Sequence, residues 1–322
     1  MKRKKLALEV NVTKREIIFL QETHSTKGCE PFWKKDFKMS HSFYCHGTSA
    51  ARGVAILLNL KESFEIIQIN NLDTFSDPNG RLIGVCIKYK NKKIGLINCY
   101  APNVNNSRHV RDDYLQFLTE VDQLLDLMTG LCDNIIVGGD FNLILDLDLD
   151  AKGGNPYLYG DCVAYLNEMC ERHDLLDLFR TKYPNEVMHT FAPGGNNIRQ
   201  VYRRLDYFWV SSPLIKQCLE LESVKLINTD HSALSFSLKQ TDQPINKGIW
   251  RHNDSLIKDT NYIDFLKSEI SKLDLQDLSN YRAKWEFIKC SIGVVSRKYS
   301  KNLGIQKGMI RQNYKLILIH SP

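Results

Sequence analysis

Short apolar runs separated by turn residues alternate with longer amphipathic stretches along residues 1–240. The runs at 16–20, 53–58, 64–69, 82–89, 93–99, 134–138, 204–210, 223–227 and 232–238 have strand length and β-type composition, and predict strands. Two stretches carry a helical period instead. Tyr114, Leu118, Val121 and Leu125 share one face of a helix over 111–129, and Val163, Leu166, Met169 and Cys170 share one face over 160–178. Many strands with helices outside them predict an α/β fold, a four-layer sandwich of two packed mixed β-sheets flanked by helices.

The pattern changes after residue 240. Thr241-Asp242-Gln243-Pro244-Ile245-Asn246-Lys247-Gly248 is polar and turn-rich, and predicts a linker. Beyond it Trp285, Ile288, Ile292, Val295 and Tyr299 fall on a 3-4-3-4 spacing, the seam of one helix, with no partner helix evident from the sequence. The reading is one α/β domain over 1–240 and a linker with a helical C-terminal tail over 241–322. Charge separates the two further. Residues 1–240 hold 29 Lys and Arg against 29 Asp and Glu, so the 14 basic and 8 acidic residues of 241–322 supply the whole net charge of +6. Arg297, Lys298, Lys301, Lys307, Arg311 and Lys315 meet no acidic residue among them. Such a run suits nucleic acid and a solvated helix face equally.

Hydrophobic residues at 43% and charged ones at 25% describe an ordinary globular chain with ample core. No apolar run reaches 18 residues, which argues against a membrane helix. Met1-Lys2-Arg3-Lys4-Lys5 lacks the apolar core of a signal peptide and reads as the start of a surface helix. Nine cysteines without a C-x-x-C pair argue against a disulfide framework and a zinc site. The expected compartment is reducing, nuclear or cytoplasmic.

Four of the strand-like runs end in residues that carry chemistry. They are Ile17-Ile18-Phe19-Leu20-Gln21-Glu22-Thr23, Ile135-Ile136-Val137-Gly138-Gly139-Asp140-Phe141-Asn142, Arg204-Leu205-Asp206-Tyr207-Phe208-Trp209-Val210 and Asn228-Thr229-Asp230-His231-Ser232-Ala233-Leu234. One Asp after a strand is usually a turn former or a helix cap. Four such ends in this order place hard oxygen ligands and one imidazole where layered α/β folds carry their sites. That is the composition of a divalent-metal site for phosphoester chemistry.

Together with Arg52-Gly53-Val54-Ala55-Ile56-Leu57 and Ile97-Asn98-Cys99-Tyr100-Ala101-Pro102-Asn103, these motifs resemble the endonuclease/exonuclease/phosphatase superfamily from about Lys4 to Leu238. This is the fold of DNase I, exonuclease III and the abasic-site endonucleases. Leu20-Gln21-Glu22-Thr23-His24, Arg52-Gly53-Val54-Ala55, Gly138-Gly139-Asp140-Phe141-Asn142 and Arg204-Leu205-Asp206-Tyr207 look like the endonuclease of LINE-type retrotransposons. Trp250-Arg251-His252-Asn253-Asp254-Ser255-Leu256-Ile257 and Trp285-Glu286-Phe287-Ile288-Lys289 resemble the connector from that endonuclease to its reverse transcriptase.

The resemblance implies a role for each site residue. Glu22 is the first metal ligand, for Mg²⁺ or Mn²⁺, and Asp230 is a further metal-site or supporting residue. Asp140 orients or deprotonates the attacking water. Asn142 donates to the phosphate, and Tyr100 and Asn103 contact it through phenol and amide. Asp206 fixes the His231 ring and favours imidazolium, which stabilises charge developing on a phosphate oxygen. DNA is the implied partner, no small-molecule cofactor is implied, and the oligomeric state is open. The implied activity is a Mg²⁺-dependent DNA endonuclease that nicks to a 3′-hydroxyl. The alternatives are an exonuclease III-like or abasic-site repair nuclease, and a catalytically impaired nucleic-acid-binding remnant of a retroelement.

Other polar features have ordinary readings. His24, His41, His46, His109, His173 and His189 show no ligand spacing. Gly138-Gly139 lacks the Gly-Lys of a phosphate loop and permits close approach at a strand end. Asp146-Leu147-Asp148-Leu149-Asp150 lacks the glycine and final Glu of a calcium loop, and reads as a surface loop. One family feature is not found. The family opens with a central strand bearing a metal-site Asn, but only 21 residues precede Glu22, which a helix and one strand use up. The first strand is therefore expected to be missing. Asn11 is the one stand-in, and at 11 positions before Glu22 it is too close for a crossover between parallel strands.

Overall fold

The computed structural model describes residues 15–60, 63–193, 201–225, 229–239, 254–273 and 313–320, with separate helical positions between 4 and 11 and between 284 and 299. In chain order the elements are β1 (Ile17–Gln21), α1 (Glu30–Phe37), β2 (His41–Cys45), β3 (Val54–Leu58), β4 (Phe64–Ile67), β5 (Phe75–Ser76), β6 (Leu82–Tyr89) and β7 (Lys92–Tyr100). There follow α2 (Arg108–Thr129), β8 (Asn134–Asp140), β9 (Ala151–Lys152), α3 (Gly160–Arg172), β10 (Leu175–Asp177) and α4 (Leu178–Lys182). Then come β11 (Tyr202–Arg203), β12 (Asp206–Ser211), β13 (Glu222–Lys225), β14 (Ser232–Lys239), α5 (Thr260–Ser271) and β15 (Asn313–His320). The chain divides into two units, Met1–Lys239 with Tyr314–Pro322, and Gln240–Asn313.

The first unit has four layers. One sheet runs β13-β14-β15-β1-β3-β2, the other β10-β12-β8-β7-β6-β4 with β5 on β6. Every residue of β1 and of β3 is buried, which explains their unbroken apolar sequence: a strand covered on both faces has no polar side to show. Ile17, Phe19, Ile56 and Phe236 of the first sheet pack against Val85, Leu96, Ile136 and Phe208 of the second. Phe208 lies 6.1 Å from Phe19 and 4.9 Å from Phe236, centroid to centroid, so it knits the two sheets at their centre. On the outer face of the second sheet, Leu118, Val121 and Leu125 of α2 and Leu166 of α3 cover Cys86, Ile97 and Val137. On the outer face of the first, Trp33 and Phe37 of α1 cover Ile18, Leu20 and Leu57. The order helix, sheet, sheet, helix is the sandwich expected from the alternation of runs.

Several boundaries differ from the sequence pattern. The helix expected over 160–178 stops at Arg172, because Asp174 turns left-handed at φ 52° and Leu175–Asp177 pairs antiparallel with β12. The strand expected to reach 69 ends at Ile67, ahead of a turn in which Asn70 and Asn71 both have positive φ. Edge strand β2 mixes polar and apolar residues, carries no clean alternation and was not foreseen. Between 4 and 11 the described positions are helical; Leu6 and Ala7 pack into the layer of Trp33 and Phe37. Asn11 donates its amide to the Asp36 carbonyl at 2.9 Å, on α1, so it is not the stand-in considered for the site.

In the second unit Asp259 caps α5, accepting from the Asn261 and Tyr262 amides. The seam read at 285–299 has its partner here. Tyr299 packs edge-on to Tyr262 at 5.2 Å and tilted against Phe265 at 5.7 Å, and the Tyr262 and Ser296 hydroxyls are bonded at 2.7 Å. Val295 is buried, whereas Trp285 at the other end of the seam is exposed. The linker at 241–248 and the basic residues Arg297, Lys298, Lys301, Lys307 and Arg311 lie outside the described residues. The expected helical tail does not extend to 313–320, which is strand and belongs to a sheet of the first unit.

Candidate active site

Strand register sets the first three site residues side by side. Asp140 ends β8, Tyr100 ends the parallel strand β7, and Asp206 opens the antiparallel strand β12. In the ladders Asp140 faces Tyr100 on one side and Asp206 on the other. Gly139 makes this approach possible: a Cβ there would stand 2.1 Å from the Cys99 carbonyl oxygen.

Glu22 comes from the other sheet. It follows β1 in a left-handed conformation, φ 48°, and its Oε1 accepts the Tyr100 hydroxyl proton. Its loop is pinned by backbone bonds from Thr23 N to Gly53 O and from His24 N to Arg52 O, both 2.9 Å. Gly53, at φ 95°, has no room for a side chain, because a Cβ would lie 2.4 Å from Thr23 Oγ1. The Arg52-Gly53 motif thus holds the Glu22 turn. Arg81 places its guanidinium 5.1 Å from the Tyr100 ring centroid and donates to the Tyr100 carbonyl at 3.0 Å.

His231 Nδ1 donates to Asp206 Oδ2 at 2.8 Å, and both residues are buried. Burial alone would push the imidazole pKa down. The Asp206 carboxylate, with Asp140 and Asp230 beyond it, overrides that and raises it to about 9, so the ring is imidazolium at neutral pH. Thr190 fixes both partners. Its hydroxyl accepts from the Leu205 and Asp206 amides at 3.0 and 3.1 Å, and its carbonyl accepts from Ser232 N at 2.6 Å.

Asp140 Oδ1 accepts from the Asn142 amide at 2.8 Å, and the Asn142 side chain donates to the Ala101 carbonyl at 2.9 Å. Phe141 between them is buried edge-on against Tyr207 and Trp209. Asp230 and Asn103 are exposed, on the loops that precede β14 and follow β7. Glu22, Tyr100, Asp140, Asp206 and His231 therefore form one connected row, with Asn142 joined to Asp140.

The donor set fits a hard divalent cation. Glu22, Asp140 and Asp206 offer carboxylate oxygens, and ligand atoms of Asp140, Asp206 and His231 lie within 4.8 Å of one another. His231 is the least suited of these as a ligand, because its Nδ1 is committed to Asp206 and an imidazolium has no lone pair to give. Asp122, Asp126 and His173 form a second group of the same reach. There Asp122 is already paired with Arg172 and with His173 Nε2 at 2.8 Å, tying α2 to the end of α3.

Three supports escaped the sequence reading. Asp150, expected on a surface loop, is fully buried: Arg204 grips it through Nε at 2.8 Å and Nη2 at 3.0 Å, and Arg180 adds a bond at 2.7 Å. Arg204 also reaches Asp177 at 2.6 Å, which anchors the segment after Asp140 to the strand that starts at Asp206. Asn98 is buried in β7 and bridges the sheets, donating to the Leu20 and Ala55 carbonyls at 2.9 Å and accepting from Gln21 at 2.5 Å. An amide inside the apolar run Ile97-Asn98-Cys99 was the available signal, since a buried polar group needs partners. Thr190 carried no signal of its own.

Known proteins resemble this chain in sequence and in fold. An uncharacterized 149 kDa protein of transposon TX1 from Xenopus laevis is 24% identical over 296 residues, 90% of this chain and 21% of that protein. The chain spans about a fifth of that relative's length. Among solved structures, the abasic-site (AP) endonuclease LMAP from Leishmania major matches with a TM-score of 0.60 at 16% identity, over 72% of this chain and 80% of that one. A 3′ phosphatase, NExo from Neisseria bound to a product DNA hairpin, matches at 0.57 and 16% identity, over 74% and 95%. An AP endonuclease from Archaeoglobus fulgidus matches at 0.54 and 20% identity, over 72% and 92%. At these identities the structural likeness is one of fold. The family described as Endonuclease/Exonuclease/phosphatase matches residues 3–231, most of the chain, and the chain belongs to that family.

Proposed function

We propose that this chain is a divalent-metal-dependent nuclease that hydrolyses phosphodiester bonds of DNA and nicks one strand to leave a 3′-hydroxyl. The observation that supports it most is the connected row from Glu22 through Tyr100, Asp140 and Asp206 to His231. A cation such as Mg²⁺ held by Glu22, with Asp230 in support, would supply charge neutralisation at the phosphate. Asp140 holds the attacking water and accepts its proton. His231, kept as imidazolium by Asp206, presents Nε2 to a phosphate oxygen on which charge develops. Asn142 uses one amide hydrogen on Ala101 and directs the other to the phosphate. Tyr100 holds Glu22 in place, and exposed Asn103 meets the strand flanking the cut.

DNA as substrate is favoured by the DNA hairpin and the abasic-site endonucleases among the structural neighbours. The abasic-site endonuclease folds also favour a second reading, a repair nuclease specific for abasic sites. Incubating the purified chain with supercoiled plasmid and Mg²⁺ tests the first reading. Nicked circles that disappear with a chelator are expected. Cleavage confined to plasmid carrying abasic sites supports the second reading, and binding without nicks overturns both.

A further inference from the structure

The central strand of the first sheet comes from the far end of the chain. β15 pairs parallel with all of β1, from Ile17 opposite Leu316 to Gln21 opposite His320. It stands between β1 and β14, two strands from one edge and three from the other. It enters this position only after the chain has left the unit at Gln240 and passed through the second unit to Asn313. Leu316, Ile317, Leu318 and Ile319 are apolar without interruption, the sequence pattern of a strand covered on both faces.

We propose that Asn313–His320 is the closing strand of the nuclease unit, and that the half of the site carried by β1 is completed only when this segment is seated. β1 ends one residue before Glu22, and β14 begins one residue after His231. Among the described residues these two strands are joined in the sheet through β15. With β15 withdrawn, β1 and β14 would each turn an open edge to a slot one strand wide, and the backbone groups of buried β1 would face neither water nor a partner. The slot accepts an extended, apolar segment running parallel to β1, a form of strand addition. The occupant is this chain's own 313–320. β15 thus occupies the central position of the first sheet, between β14 and β1. His320 takes the register position beside Gln21, next to Glu22. The consequence for Glu22 rests on the nuclease reading; the seating of the strand does not.

Hydrogen exchange on the full chain, without metal or DNA, tests the seating apart from activity. Successive amides of a strand point to opposite neighbours, so alternate amides of Ile17–Gln21 depend on β15. These amides and those of 313–320 should exchange slowly and together in the unaltered monomer. Leu316→Pro, which removes a ladder bond from a central strand, should speed both sets by about a hundredfold and lower Tm. A synthetic peptide of residues 313–322 should restore protection of β1 in that variant. Fast exchange at 313–320 beside slow exchange throughout β1 overturns the proposal, even if the proline variant fails to fold. So does protection of β1 that survives Leu316→Pro. Protection that rises with protein concentration alongside a dimer mass also overturns it, because the strand would then come from a second copy.

Discussion

The Tyr100 hydroxyl donates to the Glu22 carboxylate across the gap between the two sheets. Tyr100 also stands in register with Asp140, so one residue links the carboxylate supplied by the first sheet to the pair supplied by the second. Burial first, and then the hydrogen bond to Glu22 and its charge, push the phenol pKa up, which keeps it a donor throughout the working range. Tyr100→Phe keeps the ring and removes the donor. Losing a bond to a charged group costs about 1.5–3 kcal/mol of stability, so Tm should fall by several degrees, and a displaced Glu22 should slow nicking about tenfold to a hundredfold. An unchanged rate would show that Glu22 is positioned without Tyr100.

The pair His231–Asp206 makes stability depend on pH. The folded pKa of about 9 lies above the ordinary imidazole value of about 6.5. The pair therefore contributes its full stability below about pH 6.5 and loses it as pH rises through about 9. The Tm gap between the unaltered chain and Asp206→Asn should be widest near pH 6 and shrink by pH 10. A gap constant across that range would contradict the assigned charge.

Among the described residues Arg204 is the largest fully buried side chain, held between Asp150 and Asp177 and over the Tyr207 ring at 4.4 Å. Arg204→Met leaves buried Asp150 to Arg180 alone and takes the guanidinium from half-buried Asp177. Breaking a buried pair costs about 3–5 kcal/mol, and Asp150→Asn in the same chain should recover part of it. Denaturant unfolding of the single and double variants reads this directly. Additive losses would mean that the pair is not coupled.

Gly139 gives a steric test. A methyl group there meets the Cys99 carbonyl oxygen at 2.1 Å, and a backbone atom held in the ladder cannot move aside as a side-chain end could. Gly139→Ala should cost about 3 kcal/mol or more and shift Asp140 with it. A variant of normal Tm would mean that β7 and β8 do not approach so closely.

How much was legible from sequence follows from how local each signal is. β1, β3 and β6 were readable because burial on both faces writes continuous apolar runs. The Asp206-His231 pair was readable through motifs, although its members lie 25 residues apart. β10 was hidden, since Leu175 and Leu178 continue the apolar period of the preceding helix and only the turn at Asp174 separates them. Asp150 looked solvated because its cation, Arg204, lies 54 residues on. β15 carried a strand-like run, but its place beside β1 depends on pairing across nearly the whole chain, which no local pattern records.

The central claim is that Glu22, Asp140 and His231 act as one catalytic unit, and a nicking panel measures it most directly. Initial rates on supercoiled plasmid with Mg²⁺ would be compared for Glu22→Gln, Asp140→Asn, His231→Gln and the pairwise combinations. Each single change should cost about 10²–10³ in rate, and each pair little more than its worse member, because groups that act together do not add. Unchanged exchange protection and Tm would show that the fold is intact in each variant. Nicking that persists in all three single variants would place the chemistry elsewhere and contradict the account.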